Sequence, residues 1–279
     1  MSNLTLRIIS AVVLLPPILA LIILAPPGAL AVLVVLLSAL AGFEFGTITL
    51  GSDFSRYRIF VSLLAVAVSV AVCFQSMYDF APLLALMLIF PVSLLLFMFV
   101  PGTPDNTFRA AAFTAIGAVY IGGLFGSFSL INPFDPASPL ASSDLASGRW
   151  WVLLLLAAAV LNDTFAYAFG RLFGKRKLAP LISPNKTWAG AFGGIFGVIL
   201  AVAVAKLTLL PELFWYDIAL LGISLSIFCQ FGDLAESFLK RGFNIKDSGN
   251  IIPGHGGILD RCDAMLFGAP VILLFSLIR

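Results

Sequence analysis

Six carboxylates fall within or at the edge of apolar stretches long enough to cross a membrane: Glu44, Asp163, Asp233, Glu236, Asp260 and Asp263. A charge at mid-bilayer costs on the order of 3 kcal/mol even on the lenient insertion scale, so each needs a compensating role. Interhelical hydrogen bonding accounts for a single acid such as Glu44. Six together ask for a shared cation, because clustered carboxylates repel one another. Asp233 and Glu236 are three apart, as are Asp260 and Asp263, which puts each pair on one helix face. Oxygen donors suit a hard ion, and Mg²⁺ keeps waters while bridging carboxylates to phosphates. The single histidine, His255, and the three cysteines, Cys73, Cys229 and Cys262, form no CxxC pair or zinc-type spacing. The cysteines are expected to be buried, reduced thiols. The acids are expected to form a phosphate-handling magnesium site.

Two polar loops flank these acids. Gly170 to Gly190 carries five basic residues among glycines and prolines. Attraction to anionic lipid heads explains Arg171 to Lys177. It explains less well the run Ser183-Pro184-Asn185-Lys186-Thr187, where hydroxyls, an amide and a lysine meet a helix start, a natural anion site. Ser237 to Asp263 holds Lys240, Arg241 and Lys246, with Gly249, Gly254, Gly256 and Gly257 permitting close backbone approach. Gly256-Gly257 immediately precede a helix, so their amides are expected to point at an anion. No GxxxxGK[ST] run is present, which excludes a Walker-type site.

The elements that must position these residues are membrane helices. Hydrophobic residues make up 61% of the 279-residue chain and charged residues 11%, about half the charged fraction of soluble domains. Nine apolar segments run near 8–26, 29–49, 59–77, 81–100, 109–131, 150–170, 187–207, 214–238 and 257–278. Helices are required, since an open sheet cannot satisfy its backbone in lipid. The expected fold is an all-α polytopic membrane protein and a single integral membrane domain over 1–279. Its N-terminal helices occupy 1–131 and its catalytic helices and loops 150–279. Pro91 is expected to kink the fourth segment, and Asn132 to Arg149 is expected to be a surface loop. The first segment resembles a signal peptide, but Pro16-Pro17 interrupts it and it is expected to be retained.

Nine crossings sort the basic residues sharply. One side receives Arg7, Arg56, Arg58, Arg109, Arg171, Lys175, Arg176, Lys177, Lys186, Lys240, Arg241, Lys246 and Arg261; the other receives Arg149, Lys206 and Arg279. By the positive-inside bias the N-terminus is cytosolic. Glu44, Asp163 and Asp233 then stand about 8–12 Å above the inner ends of their helices, and Asp260 and Asp263 about 5–10 Å above the start of theirs, at 1.5 Å per residue.

The residues now resemble a known family, the phosphatidate cytidylyltransferases or CDP-diglyceride synthases. Its C-terminal signature stands here as Ser237, Lys240, Arg241, Lys246, Asp247, His255, Gly256, Gly257, Asp260, Arg261 and Asp263. An upstream element stands as Asp163, Ala166, Tyr167, Gly170, Ser183, Pro184, Lys186, Thr187 and Gly190. Asn185, Ala189 and Cys262 depart from the family pattern.

The resemblance implies transfer of a cytidylyl group from CTP to phosphatidic acid, giving CDP-diacylglycerol and pyrophosphate. It implies Mg²⁺, with room for a second cation, membrane lipids as surroundings and a homodimer. It places the protein in a bacterial-type inner membrane with the site facing the cytosol. No nucleic-acid partner is expected. Asp233, Asp260, Asp263 and Asp163 would be the metal ligands. Lys186, Lys240, Arg241, Lys246 and Arg261 would hold phosphates, Ser183, Thr187 and Ser237 would hydrogen-bond the nucleotide, and Gly256 and Gly257 would lend amides. His255 either positions pyrophosphate or caps the last helix. Two rival readings stay open: an ion-coupled transporter and a CTP-dependent polyprenol kinase. The first calls for acids spread through the membrane depth and inverted repeats. The second calls for a general base, for which His255 is the single candidate at neutral pH. A CDP-alcohol phosphotransferase is disfavoured because its D-x-x-D-G-x-x-A-R pattern is absent.

Overall fold

A computed structural model describes residues 13, 16–132, 145–245, 247–249 and 256–279. Arg7, Lys246, His255, residues 8–12, 14 and 15 of the first expected segment and most of the 132–149 loop lie outside the described residues. Eight helices among the described residues are long and apolar enough to cross a membrane. They correspond one for one to the last eight expected segments.

The chain divides into two compact units: 1–140 with 247–261, and 141–246 with 262–279. In the first, α1 (Pro27–Thr49), α2 (Arg58–Cys73), α3 (Ala81–Met98) and α4 (Pro104–Gly117) are followed by a π-helical turn, Ala118–Gly123, and α5 (Leu124–Ile131). Without a hydrophobic drive between helices in lipid, small residues and interhelical hydrogen bonds hold such bundles. Here Ser62 on α2 donates to the Ala39 carbonyl on α1 at 2.8 Å. Cys73 on α2 and Ser129 on α5 share a hydrogen bond of 2.9 Å. Val61, Ala65, Ala118 and Ile121 form the centre of the packing and are fully buried. Helix α3 continues through Pro91. It leaves Leu83, Met87, Leu95 and Met98 exposed, a cost in water but none in a hydrocarbon solvent.

The second unit contains α6 (Leu145–Phe173), a hairpin of β1 (Lys177–Ala179) and β2 (Ser183–Thr187), α7 (Trp188–Thr208), α8 (Trp215–Gly242) and most of α9 (Leu259–Ile278). Helix α7 turns a glycine face to α6. A Cβ on Gly190 would stand 2.8 Å from the Ala166 carbonyl, and one on Gly197 2.7 Å from the Leu161 carbonyl. The hairpin pairs Lys177 with Thr187 and Ala179 with Ser183, where the sequence reading left an irregular loop. Thr187 then caps α7, its hydroxyl accepting from the Gly190 amide at 3.1 Å.

Candidate active site

The second unit gathers three of the expected acids. Helix α6 brings Asp163, α8 brings Asp233 and α9 brings Asp263. Asp163 and Asp233 both lie within electrostatic range of Asp263, as does Lys186 of β2. Lys186 Nζ sits 2.5 Å from Asp233 Oδ2, and both side chains are part-exposed. Asp163, Lys186 and Asp233 line a cavity of 480 Å³ together with Asn162, Tyr167, Arg171, Thr187 and Gln230. That volume lies within the 300–1,000 Å³ usual for small-molecule sites.

A neutral network that the sequence reading missed floors this cavity. Asn162 Oδ1 accepts from Ser226 Oγ at 2.8 Å and from Gln230 Nε2 at 3.3 Å. Gln230 Nε2 also reaches Ser226 Oγ at 2.9 Å and the Ala191 carbonyl at 3.1 Å. Asn162 Nδ2 in turn donates to Asp163 Oδ1 at 3.4 Å. The network thus orients one acid of the cluster from three helices at once. Asn162, next to Asp163, was the one visible clue to it in the sequence.

Asp260 and Glu44 have their own partners in the first unit. Asp260 Oδ2 accepts from the Ser248 amide at 3.0 Å, the Ser248 hydroxyl at 2.8 Å and the Gly257 amide at 2.9 Å. Glu44, 3% exposed, accepts from the amides of Ile258 at 2.9 Å and Leu259 at 2.8 Å. The start of α9 is therefore satisfied by protein carboxylates. The Gly257 amide, expected from the sequence to face an anion, serves Asp260.

The remaining expected residues scatter in role. Lys240 Nζ bonds Glu236 Oε2 at 2.8 Å, both residues being buried, so its charge is already matched on α8. Arg241 donates to the carbonyls of Ile182 and Ile245 at 3.5 and 3.2 Å, tying the hairpin to the end of α8. Ser183 pairs with Ala179 in the hairpin. Ser237 is half-buried on α8, Arg261 is exposed on α9, and Gly256 adopts φ +81°, a left-handed conformation suited to glycine.

Asp163, Asp233 and Asp263 suit a hard cation in donor type. Three acids against Lys186 and Arg171 also leave their neighbourhood formally net negative. Among the described residues, no three acid, histidine or cysteine side chains stand close enough together to hold an ion as they are. The ammonium of Lys186 occupies the place beside Asp233 that a cation would take.

Residues 5–278 match the model of the Cytidylyltransferase family. The chain belongs to that family. Its relatives include a phosphatidate cytidylyltransferase of Bacillus subtilis, 40% identical over 193 residues, or 67% of this chain and 68% of the relative. One from Staphylococcus epidermidis is 42% identical over 166 residues, 60% of this chain and 59% of the relative. Another from Brucella abortus is 40% identical over 165 residues, 59% of this chain and 57% of the relative. The match thus covers less than two thirds of the Staphylococcus and Brucella relatives.

Proposed function

We propose that this cytidylyltransferase-family protein moves the cytidylyl group of CTP onto phosphatidic acid, giving CDP-diacylglycerol and pyrophosphate. The carrying observation is the Lys186–Asp233 pair, with Asp163, at a 480 Å³ cavity among membrane helices. A phosphate oxygen of phosphatidate attacks the α-phosphorus, the α–β anhydride bond breaks, and pyrophosphate leaves with the bonding electrons. The monoester has a second pKa of about 6, so the nucleophile is already ionised and no general base is needed. The work left to the protein is to hold anions together in line.

Lys186 is placed to exchange its carboxylate partner for a substrate phosphate, freeing Asp233. Asp163, Asp233 and Asp263 would hold Mg²⁺, with or without a second cation, whose charge offsets that of the approaching phosphates. Arg241, Arg261 and Lys246 supply further positive charge in this reading, with Ser183, Thr187, Ser237, Gly256 and His255 available to the nucleotide. Lys240, matched by Glu236, orients rather than clamps. For Asp260, the three hydrogen bonds on Oδ2 support a role in holding Ser248 and Gly257 at the start of α9. The acyl chains remain in lipid while the head group enters from the cytosolic side, the side favoured by the basic loops. A homodimer belongs to the same reading.

The test is incubation of purified protein with labelled CTP and phosphatidate, with and without Mg²⁺. Cytosine label in the lipid product, dependent on Mg²⁺, is the expected result. Transfer of γ-phosphate alone would make the protein a lipid kinase, and ion flux without CTP turnover would make it a transporter.

A further inference from the structure

Glu44 belongs to α1, more than two hundred residues from the signature loop, yet its carboxylate is built into that loop. Both oxygens are used. Oε1 takes the Ile258 amide, and Oε2 takes the Leu259 amide and, at 3.3 Å, the Ser248 hydroxyl. The same hydroxyl donates to Asp260 Oδ2 at 2.8 Å. Since one hydroxyl proton is shared between two acids, Ser248 links Glu44 directly to Asp260.

The backbone has been shaped around this carboxylate. A Cβ on Gly249 would lie 2.8 Å from Glu44 Oε1. A Cβ on Gly257 would collide with both Glu44 Oε2 and Ser248 Oγ. Gly249 and the signature's Gly257 thus make room for a side chain from the other end of the sequence. The amides of Ile258 and Leu259 lie at the start of α9, where intrahelical acceptors are lacking. A carboxylate there is favoured by the helix dipole as well as by the hydrogen bonds.

We infer that Glu44 is a positioning residue for the cytidylyl transfer: it fixes the start of α9 and the Ser248 hydroxyl, and through them the orientation of Asp260 and Arg261. This rests on the function proposed above, and it gives the N-terminal helices a part in the chemistry. Glu44 touches no reacting atom. It acts by holding the segment that carries Asp260.

The experiment uses the full chain in lipid-containing detergent, comparing wild type with Glu44→Ala, Glu44→Asp and Glu44→Gln. Steady-state kinetics and amide hydrogen exchange of the peptides covering 247–261 are read together. Misplacement of a site by about 1 Å costs on the order of 100-fold. Glu44→Ala is therefore expected to lose about 100-fold in kcat, with KM for CTP within about threefold of wild type. Loss of the cap should speed exchange at 247–261 roughly tenfold, while exchange in Trp188–Thr208 stays unchanged. Glu44→Gln keeps one acceptor oxygen and should recover part of both signals. A kcat for Glu44→Ala within threefold of wild type, or a loss of kcat without faster exchange at 247–261, overturns the inference. If Glu44→Ala does not fold, Glu44→Asp is read instead, and wild-type kcat in that variant overturns it equally. A wild type that turns over no CTP sinks the proposed function instead, and the exchange data still decide whether Glu44 anchors the loop.

Discussion

Lys186 Nζ lies 2.5 Å from Asp233 Oδ2, joining the second strand of a hairpin to the C-terminal half of α8. The contact fastens a polar element lying outside the helices to a charge carried within one. Each partner also alters the field felt by Asp263. The pair is therefore part of a coupled set, and its members should not behave independently when replaced.

Lys186→Met and Asp233→Asn are each expected to lower kcat by about 10²–10³-fold, the range seen when a charge-stabilising group is removed from an active site. The double variant should be far less impaired than the product of the two singles, because the residues act together. Additive losses in the cycle would show that the ion pair has no functional meaning.

Gly194→Ala tests the floor of the cavity. Its Cβ would fall 2.6 Å from Asn162 Oδ1 and 3.0 Å from Gln230 Nε2. Overpacking of this kind costs about 1–3 kcal/mol. The variant should unfold at lower temperature in detergent and lose activity. Adding Asn162→Ala relieves the clash and should restore part of the thermal stability but not the activity, since Asp163 then loses its hydrogen-bonded neighbour.

Asp217 and Arg279 form a lock at the opposite end of α8. The guanidinium reaches Asp217 Oδ2 at 2.7 Å and Oδ1 at 2.8 Å, and also bonds the Tyr216 hydroxyl at 2.9 Å. It lies 4.6 Å over the Phe214 ring. Asp217 raises the Arg279 pKa above its already high ordinary value, so the lock should hold across the physiological pH range. Arg279→Ala strands the buried Asp217 carboxylate and should lower the melting temperature. Asp217→Asn combined with Arg279→Ala should be more stable than Arg279→Ala alone, because no uncompensated charge is left.

Charge placement predicts an orientation that reporters can test. A reporter active only in the cytosol, fused after Arg279, should be silent, whereas one inserted at exposed Leu181 in the hairpin should be active. The reverse pattern would place the acid cluster on the far side of the membrane.

Membrane helices were legible because lipid imposes one simple rule, a long apolar run without charge. The eight described spans accordingly fall where hydropathy puts them. Asp163, Asp233 and Asp263 were legible for the converse reason: a charge is conspicuous where it is expensive. Ser226 and Gln230 were not, since neutral polar residues cost less in a span, and the Asn162–Ser226 bond crosses 64 positions of sequence. Glu44 was visible as an oddity, but its partners stand 204 to 215 residues away. No local pattern records such a pairing. The hairpin escaped because Ser183-Pro184-Asn185-Lys186-Thr187 has the composition of a turn; β1, the Thr187 cap and the Arg241 tie give it a strand's geometry.

The π turn at Ala118–Gly123 bears on how this part of the chain tolerates change. Its wider winding stores one residue more than an ordinary helix needs for the same rise. Deleting a single residue there would return the segment to regular α geometry, leaving Ala111 and Phe125 facing the same neighbours. Chain length is negotiable at this point, whereas on the glycine face of α7 one missing residue would rotate every close contact away from α6.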